Sequence, residues 1–191
     1  YLGLARSGIM LAAGEPDHPP LAIAGGIADQ MGAVMLAYGV LAALLARAKT
    51  GVGQAVDASH LGSMAWLQGL GLSARTMLGT AIPRQSRKYA SNPLWNHYRC
   101  ADGEWLALGM LQGDRYWADL CRALGVPDAG TDERFNSNLQ RMRNAGDCVR
   151  LLDDVFVTRP RAEWLEHLRH GGDFIFCVVN SVNDLPNDPQ V

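Results

Sequence analysis

Two features of this 191-residue sequence predict a mixed α/β and α+β architecture, in which the helical end of a large domain is followed by a small α+β domain. The first is an uncharged apolar run at 31–46, MGAVMLAYGVLAALLA, too rich in Ala, Leu and Met to be a strand. The second is Ala101-Asp102-Gly103-Glu104 between two short runs of strand-forming residues, which reads as a β-hairpin with an Asp-Gly turn.

Residues 1–26 read as loop, because Pro16, Pro19 and Pro20 cannot sit in a helix interior. The helix at 31–46 ends where Arg47 and Lys49 complement its dipole and Gly51 stops it. Apolar on every side and rich in Gly and Ala, it calls for burial in a large domain, packed closely on its neighbours. Its sixteen residues fall short of the ~20 needed to cross a bilayer. A short strand is predicted at 54–58 (QAVDA) and a second helix at 60–78. Residues 80–93 form a basic, polar connector carrying Arg84, Arg87 and Lys88, and the change in composition places a domain boundary there. The expected parts are therefore 1–80, a linker at 81–93, a small domain at 94–182, and the start of a return linker at 183–191.

In the small domain the hairpin strands flank 101–104, and Trp95, His97, Tyr98 and Trp105 read as hairpin core rather than a ligand clamp. Helices are predicted at 114–124, stopped by Gly125, at 144–157, and at 161–170. The last is expected to be capped by Thr158 with Pro160 in its first turn. Residues 174–179 (FIFCVV) read as a buried strand.

Composition narrows the function classes. Apolar residues make up 48% and charged residues 19%, enough for a packed core. Seventeen basic against nineteen acidic residues leave a net charge of −2, with no excess to hold a phosphate backbone, so nucleic acid is not an expected partner. Cys100, Cys121, Cys148 and Cys177 are spaced by 21, 27 and 29 residues, without a CxxC pair. That spacing suits neither a zinc site nor a disulfide framework and fits a reducing cytoplasm. The chain opens on Tyr1 and stops at Val191, and reads as a piece of a longer protein.

Asp29 is the most informative position. It lies between Gly25-Gly26-Ile27-Ala28 and the long apolar helix. Asp at a helix start is favoured as an N-cap, its carboxylate accepting a backbone N–H. The same placement also suits a nucleophile beside flexible glycines, where a thioester could approach. Both readings stay open. The segment at 49–54 (KTGVGQ) lacks the order of a phosphate loop and reads as a helix stop. His60, near a helix start, reads as a partly buried imidazole, and Glu163, Glu166, His167 and His170 as a solvated face.

In order and spacing these pieces resemble the class III CoA-transferase family: acyl-CoA transferases of carnitine and bile-acid type, related to the α-methylacyl-CoA racemases. The resembling segments are Ser7-Gly8-Ile9-Met10, Gly14-Glu15-Pro16-Asp17 with Pro19-Pro20, and Ile27-Ala28-Asp29. They continue with 39–45 (GVLAALL) running into 49–57 (KTGVGQAVD), then 98–103 (YRCADG), 161–165 (RAEWL), Val179-Asn180-Ser181 and 188–191 (DPQV). The resemblance covers nearly the whole chain. It implies a Rossmann-like CoA-binding domain, a small α+β domain, and two chains interlocked as a homodimer. Asp29 matches the family's catalytic aspartate by its place before the apolar helix and 21 residues ahead of Thr50-Gly51-x-Gly53-Gln54.

The implied reaction moves CoA from an acyl-CoA to a carboxylic acid through an aspartyl anhydride and an aspartyl-CoA thioester. Coenzyme A and its thioesters are then substrates; no permanently bound cofactor, no metal and no membrane are expected. Gly25 and Gly26 are candidates for close backbone approach to the substrate, or simple turn glycines, and Asn92 and Trp95 are candidates for substrate binding. Two departures bear on the substrate. Some family transferases carry a glycine-rich loop just before the hairpin, whereas 90–96 (ASNPLWN) has no glycine. That points away from an oxalate or formate transferase, and Trp95 would make an acceptor pocket apolar. The racemases carry a glutamate shortly after the hairpin, where this chain has Met110-Leu111-Gln112. An amide cannot exchange a proton at neutral pH, so transfer is read ahead of racemisation, with a non-catalytic acyl-CoA-binding module as a third reading.

Overall fold

The computed structural model describes residues 1–191, which divide into two compact units, Tyr1–Gln85 and Ser86–Val191.

The first unit holds only helices and loops: α1 (Leu2–Arg6), α2 (Ile9–Ala12), α3 (Ile27–Thr50), α4 (His60–Leu67) and α5 (Gly69–Leu78). Residues 1–26 are therefore not all loop. Leu4 and Met10 bury against Ala28 and Met64, and that apolar contact folds 2–12 into two short helices around Gly8, which takes φ 82°. The prolines confine the irregular backbone to 13–26. No strand forms at 54–58, because no neighbouring segment offers it a ladder. The helix predicted at 60–78 is two helices, broken at Gln68, where Gly69 and Gly71 weaken continuation.

The apolar run becomes a 24-residue helix, closed by Gly51 in the left-handed region with its N–H donating to the Arg47 carbonyl at 2.8 Å. Within the chain it is not buried as its composition demanded. Only Ala28, Gly32 and Ala43 are enclosed, while Val34, Leu36, Tyr38, Leu41 and Leu45 stand exposed. By length and composition α3 could cross a membrane, with mean hydropathy 1.8 over eighteen residues and 11% of them buried. One close approach shows where it does pack: a Cβ on Gly39 would stand 2.7 Å from Val56 Cγ1.

The second unit is α+β. β1 (Trp95–Arg99) and β2 (Trp105–Gly109) form the predicted hairpin, with Arg99 opposite Trp105, and β3 (Phe176–Val178) adds an antiparallel edge. Gly103 takes φ 84° in the turn, the conformation the Asp-Gly dipeptide supplies. The helices are α6 (Gly113–Ala123), α7 (Asn138–Arg143), α8 (Ala145–Phe156) and α9 (Arg161–Gly171). α7 was missed by periodicity; Ser137 caps it, its hydroxyl accepting the Gln140 N–H.

Strand alternation decides the sheet's two faces. Tyr98, Leu106 and Leu108 turn inward onto Trp117, Leu152, Phe156 and Trp164, with Tyr98 stacked on Phe156 at 5.0 Å. Trp95 and His97 turn outward, so Tyr98 alone of the predicted aromatic group is core. β3 is shorter than predicted and half-exposed, because an edge strand covers one face only and leaves Cys177 in solvent. Pro160, not Thr158, stands at the α9 cap; Thr158 instead donates to the Val155 carbonyl at the end of α8. The α9 start is secured from the hairpin turn, where Asp102 Oδ2 accepts the Arg161 N–H at 2.9 Å.

Candidate active site

Asp29 is the third residue of α3 and is not its cap. Gly26 occupies the cap position at φ 67°, with no side-chain hydrogen bond, so the first-turn N–H groups have no side-chain acceptor. Gly25 precedes it at φ 88°. Both glycines are required by backbone conformation, since an L side chain is disfavoured in that region. They let the chain turn into the helix without placing a side chain over the carboxylate. A Cβ on Gly26 would stand 3.5 Å from Asp29 Oδ2, and one on Gly25 would meet nothing within 4 Å.

The Asp29 side chain is 73% exposed. A carboxylate in the first turn faces the positive end of the helix dipole, a favourable position worth about 0.3–1 kcal/mol at an exposed site. Its ionisable neighbour is His60, with Nε2 3.6 Å from Asp29 Oδ1. His60 was read as a partly buried imidazole; it is instead exposed and turned toward the carboxylate.

Local chemistry places that imidazole. Ser59 caps α4, its hydroxyl accepting the Gly62 N–H at 3.0 Å, which makes His60 the first helical residue. Two glycines then leave it room. A Cβ on Gly32 would stand 2.8 Å from His60 Cδ2, and one on Gly3 would stand 3.1 Å from His60 Cβ. The signal available in the sequence was weak: a capped helix start carrying histidine, with glycines scattered on other segments.

Asn92 and Trp95 lie in the second unit. The Asn92 amide donates to the Met110 and Leu111 carbonyls, and its oxygen accepts the Leu94 N–H, which ties the segment before β1 to the end of β2. Trp95 is exposed on the outer sheet face, in an open groove of about 400 Å³ also lined by His97, Ala107, Gly109, Ile175 and Cys177. Gln112 is the exposed residue before α6.

Chemically, the first unit presents an exposed carboxylate with an imidazole beside it, in the first turn of a helix whose cap makes no side-chain hydrogen bond. A non-catalytic binding module would be favoured by a buried Asp29 occupied as a cap; within this chain Asp29 is exposed and Gly26 holds the cap position.

The family model for CoA-transferase family III matches residues 1–191. Three curated relatives are similar. The (R)-2-hydroxy-4-methylpentanoate CoA-transferase of Clostridioides difficile is 28% identical over 97% of this chain and 46% of its own length. The acetyl-CoA:oxalate CoA-transferase of Acetobacter aceti is 31% identical over 88% of this chain and 43% of its own. The human α-methylacyl-CoA racemase is 30% identical over 85% of this chain and 42% of its own. A solved CaiB/BaiF family protein from Brucella suis matches with a TM-score of 0.86 at 25% identity, covering 98% of this chain and 49% of that one. The chain spans about half the length of the curated relatives it matches.

Proposed function

The chain belongs to CoA-transferase family III, and from that we propose that it is part of an enzyme moving CoA from an acyl-CoA to a carboxylic acid, with Asp29 as the nucleophile. The observation that carries this reading is the exposed Asp29 carboxylate, left uncommitted by the α3 cap.

In the proposed cycle Asp29 attacks the donor thioester carbonyl; the carbon–sulfur bond breaks and CoA leaves as thiolate. The thiolate attacks the aspartyl carbon of the resulting anhydride, the donor acid leaves as carboxylate, and an aspartyl-CoA thioester remains. The acceptor carboxylate attacks that thioester and releases the thiolate again. The thiolate then attacks the acceptor's acyl carbon, freeing acyl-CoA and the Asp29 carboxylate. Each hard exchange is split into easier ones, and each tetrahedral oxyanion needs a preorganised donor. The uncapped N–H groups at the start of α3 are suited to that task. Asn92 and Trp95 are proposed substrate contacts, Trp95 offering apolar surface to an organic acid.

The whole enzyme is proposed to be a cytoplasmic homodimer with a Rossmann-like CoA-binding domain. The exposed apolar face of α3 supports a further protein surface packed against it. That face is proposed to be covered by protein rather than lipid.

The test uses the full-length enzyme. Asp29→Asn should abolish CoA exchange while the protein stays folded, and hydroxylamine added during turnover should yield a hydroxamate at Asp29 by mass spectrometry. Exchange that survives Asp29→Asn overturns the reading. A second reading, α-proton exchange on a 2-methylacyl-CoA, is favoured by the Asp29–His60 pair, two groups able to take up and return a proton. Loss of an α-deuteron from that substrate in ordinary water distinguishes it.

A further inference from the structure

The two oxygens of Asp29 face different surroundings. Oδ1 lies 3.6 Å from His60 Nε2, and Oδ2 lies 3.5 Å from where a Cβ on Gly26 would stand. The carboxylate is 73% exposed, and acylation on the oxygen turned away from His60 leaves the other oxygen beside the imidazole. When Oδ2 bonds to the acyl carbon, Oδ1 becomes the carbonyl oxygen of the aspartyl anhydride. The thiolate next attacks the aspartyl carbon, and the negative charge collects on Oδ1, the oxygen facing His60.

We propose that His60 is a catalytic residue of the transfer, donating a hydrogen bond from Nε2 to the oxyanion that forms on Asp29 Oδ1 whenever the aspartyl carbon is attacked. This rests on Asp29 being the nucleophile. The chemistry favours a donor over a base: exchange of CoA between two acids transfers no proton, so a general base at His60 would have nothing to remove. The bond forms and breaks with the charge. The thiolate adds to the aspartyl carbon, Oδ1 takes the electron pair, His60 N–H holds it, and the pair returns as the carboxylate departs. A shift of about 0.5 Å brings 3.6 Å into the range of an oxyanion donor, and such contacts commonly tighten only when substrate is bound. Gly32 makes the seat that permits this approach, since a Cβ there would stand 2.8 Å from the imidazole Cδ2, and Gly3 leaves room at the His60 Cβ.

The test compares full-length wild type with His60→Leu, which removes the donor, and His60→Gln, which keeps a neutral one. The donor is whichever of acetyl-CoA and succinyl-CoA the wild type turns over faster. His60→Leu should lower kcat about 10- to 100-fold with KM for the acyl-CoA changed less than threefold, and His60→Gln should recover a large part of the loss. With donor alone and no acceptor, the CoA thioester on Asp29, followed by peptide mass, should appear correspondingly more slowly in His60→Leu. A kcat within twofold of wild type in His60→Leu, with Asp29→Asn inactive, overturns the role of His60 alone. Activity retained in Asp29→Asn overturns the parent reading with it. Equal losses in the Leu and Gln variants would mean that His60 fills space rather than donates, and would also overturn the proposal.

Discussion

A Cβ on Gly32 would stand 2.8 Å from Cδ2 of His60, so the imidazole reaches Asp29 only because α3 carries no side chain at that point. Gly32→Ala therefore keeps every ionisable group and displaces one. The ring is an exposed side-chain end that can swing aside, and Ala in place of Gly within a helix contributes about 0.5–1 kcal/mol. The expected outcome is a melting temperature that does not fall, with kcat reduced roughly as in His60→Leu. Thermal unfolding followed by circular dichroism, set beside steady-state kinetics, checks both.

Asp29→Asn should cost little stability. The carboxylate is not the helix cap, its side chain is largely exposed, and the lost dipole interaction is worth about 0.3–1 kcal/mol. Urea unfolding is the measurement, and a loss above about 2 kcal/mol would show that Asp29 holds structure the exposed carboxylate does not reveal.

Gly26→Ala should behave in the opposite way. At φ 67° an alanine sits in the left-handed region, at a cost of about 1–2 kcal/mol, although its Cβ would make only an ordinary 3.5 Å contact with Asp29 Oδ2. Stability should fall by that amount, and exchange should fall with it as the turn leading into Asp29 shifts. The same unfolding curve and a CoA-exchange assay measure both.

The four thiols should separate by reactivity. Burial pushes the Cys100 thiol up to about 11 and those of Cys121 and Cys148 up to about 12, from an ordinary value of 9.0. Cys177 is exposed on β3. A disulfide reagent at pH 8 should modify Cys177 promptly and the other three only on unfolding, as peptide mapping would show. The buried thiols also set an alkaline limit. Their folded values lie above the unfolded one, so their contribution to stability is complete below pH 9. It declines as pH rises toward 11–12, because the unfolded chain releases protons that the folded chain keeps. Urea midpoints measured from pH 8 to 11 should fall, and less so in Cys121→Ala than in the parent.

Expressed alone, the 191-residue chain should associate. Val34, Tyr38, Leu41, Leu70 and Met77 leave an apolar surface that a monomer in water does not tolerate well. Light scattering should report dimers or larger species, and a dye sensitive to apolar surface should bind it strongly.

Much of the second unit was legible because its signals are local. The Asp-Gly turn, the apolar spacing of α6 and α8 and the stop at Gly125 each act within about ten residues, and the structure places those elements within a residue or two of their predicted ends. Asp29 was legible in the same way, as an acidic residue at the head of an apolar helix. What failed needed partners distant along the chain. QAVDA has the composition of a strand, yet a strand exists only with a neighbour to bond. Residues 2–12 have helical content only because Met64 and Ala28 bury Leu4 and Met10. The cap of α9 moved because Asp102, 59 residues away, supplies an acceptor that Thr158 does not.

Local composition thus determined which segments coil, turn or pair, and which carboxylate stands at the head of the apolar helix. The tertiary structure decided what that carboxylate faces. His60 is 31 residues from Asp29, and nothing in a sequence window registers that Gly3 on one helix and Gly32 on another leave the space it occupies. The physical reason is steric: a glycine's contribution here is an absence of atoms, and an absence acquires meaning only when folding brings a second segment to fill it.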